Sequence, residues 1–266
     1  MELSPPGFRG SVRAANHPPT ILVALNDLEQ ARQVQQQLLP RELPCLPGWD
    51  MAVAYLPSRV VSGDYCDVID LGAGRIAFAL GDVSGKGLGP ALVMAGLRAM
   101  IHSRLPHQRT NLAGLMRELN LYLVATMPTD MFVSLFLAVL DVSTGRIHYV
   151  NAGHLPPLVL AGPNAEPMRF TNSGPVLGLL PDIQFEAHTV GIEPGSLLAV
   201  FSDGVTDATD AAGKMFHQSR VVESLQKGWD SSATHVLEHL LQSVEQFSKN
   251  VEQADDISVI LLRRIG

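Results

Sequence analysis

Four aspartates stand where short apolar runs begin or end, each in a turn of small residues. Ile76-Ala77-Phe78-Ala79-Leu80 runs into Gly81-Asp82-Val83-Ser84-Gly85, and Leu197-Leu198-Ala199-Val200-Phe201 runs into Ser202-Asp203-Gly204. Asp255-Asp256 opens a last apolar segment at Ile257, and Ser62-Gly63-Asp64-Tyr65-Cys66-Asp67 precedes another. Runs this short, rich in Val, Ile, Leu and Phe, read as buried strands rather than helices. A carboxylate at the end of such a strand sits on a rigid element while the Gly or Ser beside it leaves room for a ligand. If several such ends meet on one sheet rim, the result is an oxygen-only site of the kind that hard cations prefer. An isolated Asp in such a turn is more often a turn former, so spacing alone leaves both readings open.

The rest of the chain sets the frame. Further strands are expected at Met51–Tyr55, Phe132–Leu140, Ile147–Val150, 157–160 and 184–190, with a hairpin loop at Asp141–Gly145. Helical patterns cover Pro90–Arg104, Leu112–Thr126, Arg220–Leu225 and Thr234–Phe247. The helices cluster in pairs and do not alternate with strands, which favours an α+β layered fold over a doubly wound sheet. Residues 1–27 are expected to form a flexible tail, with four prolines and two glycines in the first 19 positions. Asn26-Asp27 can cap a helix over Leu28–Leu39, stopped by Pro40 and Pro44, whose surface is Gln-rich. Its two readings are a packed helix and a regulatory helix that contacts a second chain. With no compositional break after residue 45, residues 41–266 are expected to be one domain.

Composition removes other classes. The formal charge is −7, from 19 basic and 26 acidic side chains, which argues against a nucleic-acid binder relying on broad phosphate neutralisation. The only cysteines, Cys45 and Cys66, give neither a disulfide framework nor a Cys-x-x-Cys pair, so a reducing cytoplasm is expected. No apolar stretch approaches the ~20 residues of a membrane span, and no signal peptide is recognisable. A cysteine-phosphatase motif fails, because an arginine after five intervening residues would fall at Met51 or Gly72. No Gly-x-Ser-x-Gly elbow occurs, and Gly81–Gly87 lacks the spacing of a phosphate loop. His154, in Asn151-Ala152-Gly153-His154, either lines a site or orders a loop.

These segments together resemble the SpoIIE/RsbU-type bacterial Ser/Thr phosphatases, a branch of the metal-dependent, protein phosphatase 2C-like superfamily. The ordered set comprises Ala31–Pro40, Ser62–Asp67, Gly81–Gly87, Met131-Phe132-Val133, Asn151–His154, Ser202–Val205 and Asp255–Ser258. The resemblance implies a central antiparallel β-sandwich flanked by helices, with a two-metal site for Mn²⁺ or Mg²⁺ at one end. It implies that Asp82 bridges both ions with the Val83 carbonyl beside it, that Asp64 serves the second ion, and that Asp203 and Asp255 hold the first. Asp67, Asp256 and Gly204 are implied as outer neighbours. It further implies in-line attack of a metal-activated water on phosphoserine or phosphothreonine, without a phosphoenzyme. The implied partner is a phosphorylated STAS-type anti-sigma-factor antagonist, and a homodimer through the N-terminal helix is implied as possible. The alternative is a catalytically silent interaction module, which retention of Asp64, Asp82, Asp203 and Asp255 disfavours. This chain departs from the family in Ser62 for Gly, Cys66 for Tyr, Ser202 for Thr and His217 for the Gly after Phe216. Ser84 stands where eukaryotic relatives carry a His.

Overall fold

The apolar runs pair into two antiparallel sheets. A computed structural model describes residues 21–40, 42–108, 111–229 and 231–265. One sheet contains β1 (Trp49–Leu56), β6 (Leu158–Leu160), β7 (Met168–Arg169), β9 (Leu197–Phe201) and β10 (Ile257–Arg264), in the order β1-β10-β9-β6-β7. The other contains β2 (Tyr65–Asp70), β3 (Arg75–Val83), β4 (Val133–Asp141), β5 (Arg146–Ala152) and β8 (His188–Gly191), in sequence order.

Strand alternation explains the layers. In β3, Ile76, Phe78 and Leu80 point between the sheets, where they meet Phe136, Tyr149, Val200 and Ile260. Ala77 and Ala79 point outward, and their small side chains let α2 (Leu88–Gln108) and α3 (Leu112–Thr126) pack closely on that face. On the other side, Ala199, Phe201, Val259 and Leu261 receive α5 (His217–Lys227) and α6 (Ala233–Phe247). The sheets are buried on both faces, which is why their strands read as continuous apolar runs. The result is the expected α+β fold, a β-sandwich between two helical layers.

Several boundaries differ from expectation. Helix α1 spans Ile21–Leu38, so Asn26 and Asp27 lie inside it and do not cap it. Of the expected tail, residues 1–20 lie outside the described residues. The strand expected over 184–190 is regular only from His188. Before it, Phe185 is held by its side chain in the α2–α3 core, and Glu186 by one backbone bond to Ser173. Strand β2 begins at Tyr65, inside the segment expected to precede a strand, because Asp67 and Asp70 interrupt its apolar pattern. His217 adopts φ 64°, a left-handed conformation that favours glycine, which accounts for the family's Gly at this position. Among the described residues, no helix is long and apolar enough to cross a membrane.

Candidate active site

Strand register brings the aspartates to one end of the sandwich. Tyr65 pairs with Gly81, so Asp64, just before β2, lies beside Asp82 near the end of β3. Val259 pairs with Phe201, so Asp203, just after β9, lies beside the Asp255-Asp256 turn that opens β10. Asp203 begins the single turn α4 (Asp203–Thr206). One hydrogen bond ties the two sheets at this end and a second joins the ends of β9 and β10. The Ser258 hydroxyl donates to Asp64 Oδ2 at 2.5 Å, and the Ser202 hydroxyl donates to the Asp256 carbonyl at 3.0 Å.

Two glycines allow the close approach. A Cβ on Gly204 would overlap the Asp256 carbonyl oxygen, so only glycine seats Asp203 against the Asp255 turn. A Cβ on Gly63 would lie 2.9 Å from the Val83 carbonyl and from Pro90 Cβ.

Asp82 and Asp203 line one cavity of about 440 Å³, together with Phe132, Ser134, His154 and Asn172. His154 is buried, and burial lowers its imidazole to a pKa of about 4, so the ring is neutral near pH 7. It reaches Ser134 Oγ at 3.1 Å through Nδ1, and Ser134 is the β4 partner of Asp82. The Asn151 side chain clamps the backbone of His154 from both sides, accepting from its N–H at 2.9 Å and donating to its carbonyl at 3.0 Å. His154 therefore lines the site, and Asn151 orders its loop.

Negative charge is crowded here. Burial, then the charges of Asp203, Asp255 and Asp256, push the Asp82 carboxyl up to about 7, with Lys86 opposing. Asp64 lies well above the usual carboxylate range through burial and the nearby Asp82 and Asp256, despite the Ser258 hydrogen bond. Asp203 is raised by burial and by Asp255 and Asp207. Lys86 answers part of this charge, pairing with Asp255 at 2.9 Å and donating to the Ala254 carbonyl. An oxygen-only donor set with surplus negative charge suits hard divalent cations. Among the described residues, however, no three His, Cys, Asp or Glu side chains stand close enough to hold one ion. Asp64 is engaged by Ser258 and Asp255 by Lys86.

This crowding has a consequence for stability. Asp82 releases its proton near pH 4 when unfolded but near 7 when folded, so the folded chain holds the extra proton in between. Stability from this group is full below about pH 4 and is lost as pH rises through about 7. The chelator-treated protein should therefore melt roughly 5 °C lower at pH 8 than at pH 5.5, and added Mn²⁺ should close that gap. A melting temperature that is flat or rising over this range would contradict the charge crowding.

The implied outer neighbours separate. Asp256 accepts from Ser58 N and Oγ at 2.7 and 2.8 Å, from Ser62 Oγ at 2.5 Å and from Gly63 N at 3.3 Å. It fixes the loop before Asp64, and the unusual Ser62 contributes one of these bonds. Asp67 instead faces the helical layer, where its carboxylate meets His102 Nε2 at 2.6 Å, the Tyr65 hydroxyl at 3.0 Å and Arg98 Nε at 3.5 Å. Its role is to anchor α2 on β2. Cys66 is buried between the sheets, and burial pushes its thiol up, away from reactivity. Ser84 exchanges hydrogen bonds with Phe132, donating from its backbone N–H and accepting at its hydroxyl, and so fixes the entry to β4.

Lys86 and Gln35 were missed by sequence reasoning. Gln35 is the one buried side chain in the described part of α1. Its amide donates to the Ser62 carbonyl at 2.8 Å and accepts from the Ser62 N–H at 3.0 Å. The helix thus grips the backbone two residues before Asp64. Gln35→Ala leaves both Ser62 groups buried and unpaired, at a cost of ~2 kcal/mol. Turnover should fall about tenfold, and Gln35→Glu, which keeps the acceptor alone, should lie between the two. Wild-type turnover in Gln35→Ala would show that the clamp only packs the helix.

Residues 72–265 match the family of Stage II sporulation protein E (SpoIIE). The chain is 32% identical to Protein IcfG of Synechocystis sp. over 267 residues, covering 90% of this chain and 41% of IcfG. It is 26% identical to phosphoserine phosphatase RsbU of Bacillus subtilis, covering 90% of this chain and 70% of RsbU. Among solved structures, the SiaA-PP2C domain of Pseudomonas aeruginosa superimposes with a TM-score of 0.79 at 18% identity, covering 91% of this chain and 97% of that one. The catalytic domain of the serine/threonine protein phosphatase PstP, in complex with two manganese ions, gives 0.61 at 14% identity, covering 82% and 99%. This chain belongs to the SpoIIE family.

Proposed function

We propose that this chain is a divalent-metal-dependent phosphoprotein phosphatase that hydrolyses phosphoserine or phosphothreonine on a STAS-type anti-sigma-factor antagonist in the cytoplasm. The observation that carries the reading is the convergence of Asp64, Asp82, Asp203 and Asp255 at one sandwich end beside a cavity. The naming of RsbU as a phosphoserine phosphatase and the manganese ions of PstP support it.

In this reading Asp64, Asp82, the Val83 carbonyl, Asp203 and Asp255 would hold two ions, with Asp82 serving both. Mn²⁺ or Mg²⁺ bound there supplies water activation and neutralises charge on the phosphoryl oxygens. The protein's own groups do the positioning. Asp256 and Gln35 fix the loop that carries Asp64, Gly204 lets Asp203 approach Asp255, and the neutral His154 braces the cavity wall beside Asp82.

Phosphate release from a phosphoserine peptide, measured with Mn²⁺, with Mg²⁺ and with EDTA, tests the proposal. Release that requires metal is expected. No release with either metal would favour the silent interaction module.

A further inference from the structure

A second cavity, of about 370 Å³, lies on the other side of the Asp203–Asp255 pair, between α4, α6 and the segment leading into β10. Its floor is apolar, built by Leu56, Leu241, Val244 and Ile257, and its size falls in the range of small-ligand sites. Its rim is acidic, with Asp207, Glu245, Glu252 and Asp255, and no Lys, Arg or His among the described residues lines it. The Ser248 hydroxyl belongs to the lining, is fully buried and has no hydrogen-bond partner. The wall is pinned in place, since Gln253 Nε2 donates to both the Leu56 and Asp255 carbonyls at 2.8 Å.

We propose that this cavity binds a small organic cation, with an apolar body on the Leu241–Val244 floor and an ammonium or amidinium head at the Glu245–Glu252 rim. Charge decides the class. A neutral ligand would use only the floor, and an anion would meet the carboxylates of Asp207, Glu245 and Glu252, since Lys86 answers Asp255 alone. Because Asp255 belongs to the rim, a bound cation also opposes a divalent ion beyond it. This second half rests on the metal-centre reading, and the first half does not.

Calorimetric titration of the chelator-treated protein with 3-phenylpropylammonium and with 3-phenylpropanol tests both halves without measuring turnover. The ammonium is expected to bind about fivefold more tightly at low salt, with the difference fading at ~1 M salt. Glu245→Gln combined with Glu252→Gln, both exposed side chains, should bring the ammonium to the level of the alcohol and leave the alcohol unchanged. Backbone amide shifts on titration should centre on Thr209 and Val251. Ser248→Leu, which fills the cavity, should abolish binding of both probes. Equal affinity for the two probes, ammonium binding undiminished in the double variant, shifts centred on Asp82, or no binding would each overturn the site. Saturating ammonium should weaken Mn²⁺ binding about threefold, and an unchanged Mn²⁺ isotherm would overturn the link to the metal end.

Discussion

Asp82→Asn should reduce phosphate release about a thousandfold, roughly 4 kcal/mol of transition-state stabilisation, while the fold survives. Asp82 sits at the meeting point of the cluster: the charges of Asp203, Asp255 and Asp256 all raise its pKa, and it raises that of Asp64 in turn. It is also partly buried, faces the cavity and is not part of the apolar core. The amide keeps the shape and removes one negative charge from an overcrowded group. The melting temperature of the chelator-treated variant should therefore equal or exceed that of the wild type, and its fall between pH 5.5 and 8 should shrink. These readouts separate a lost ligand from a lost fold. A variant keeping more than a tenth of wild-type release would remove Asp82 from the centre of the mechanism, whatever its stability.

The parts of this molecule that were legible in advance are those where chemistry and periodicity coincide. Asp82 and Asp203 could be singled out because each follows an apolar run that no solvent-exposed turn explains. The layered architecture followed from paired helices and short strands. Other features depend on contacts distant in sequence, which no local pattern carries. The start of strand β2 was hidden because Asp67 looks like a breaker, yet Tyr65, Arg98 and His102 satisfy it inside the fold. Gln35 lies among Gln33, Gln36 and Gln37, and only the arrival of Ser62, 27 residues away, distinguishes it. Lys86 stood within a quoted motif, but its pairing with Asp255 spans 169 positions. His217 shows the converse: the departure from glycine was visible, and its meaning required the backbone angle.

Gly204→Ala should be nearly as damaging as loss of a carboxylate, although it removes no functional group. The added methyl would overlap the Asp256 carbonyl oxygen and lie 2.8 Å from its carbon, both of them backbone atoms that no rotamer change can move. Asp256 cannot retreat freely, because its carboxylate is held by Ser58, Ser62 and Gly63 and its carbonyl by Ser202. The strain must therefore open the gap between the α4 turn and the Asp255 turn, which separates Asp203 from Asp255 and loosens the loop before Asp64. A misplacement of about 1 Å at such a site costs on the order of a hundredfold in turnover. The same overlap should cost about 1–3 kcal/mol of stability, as overpacking does elsewhere. Gly204→Ala should thus lower turnover about a hundredfold and bind Mn²⁺ more weakly by calorimetry, with all four carboxylates still in the chain. Full turnover in this variant would mean that Asp203 and Asp255 need not approach, and the two-ion centre would have to be built without one of them.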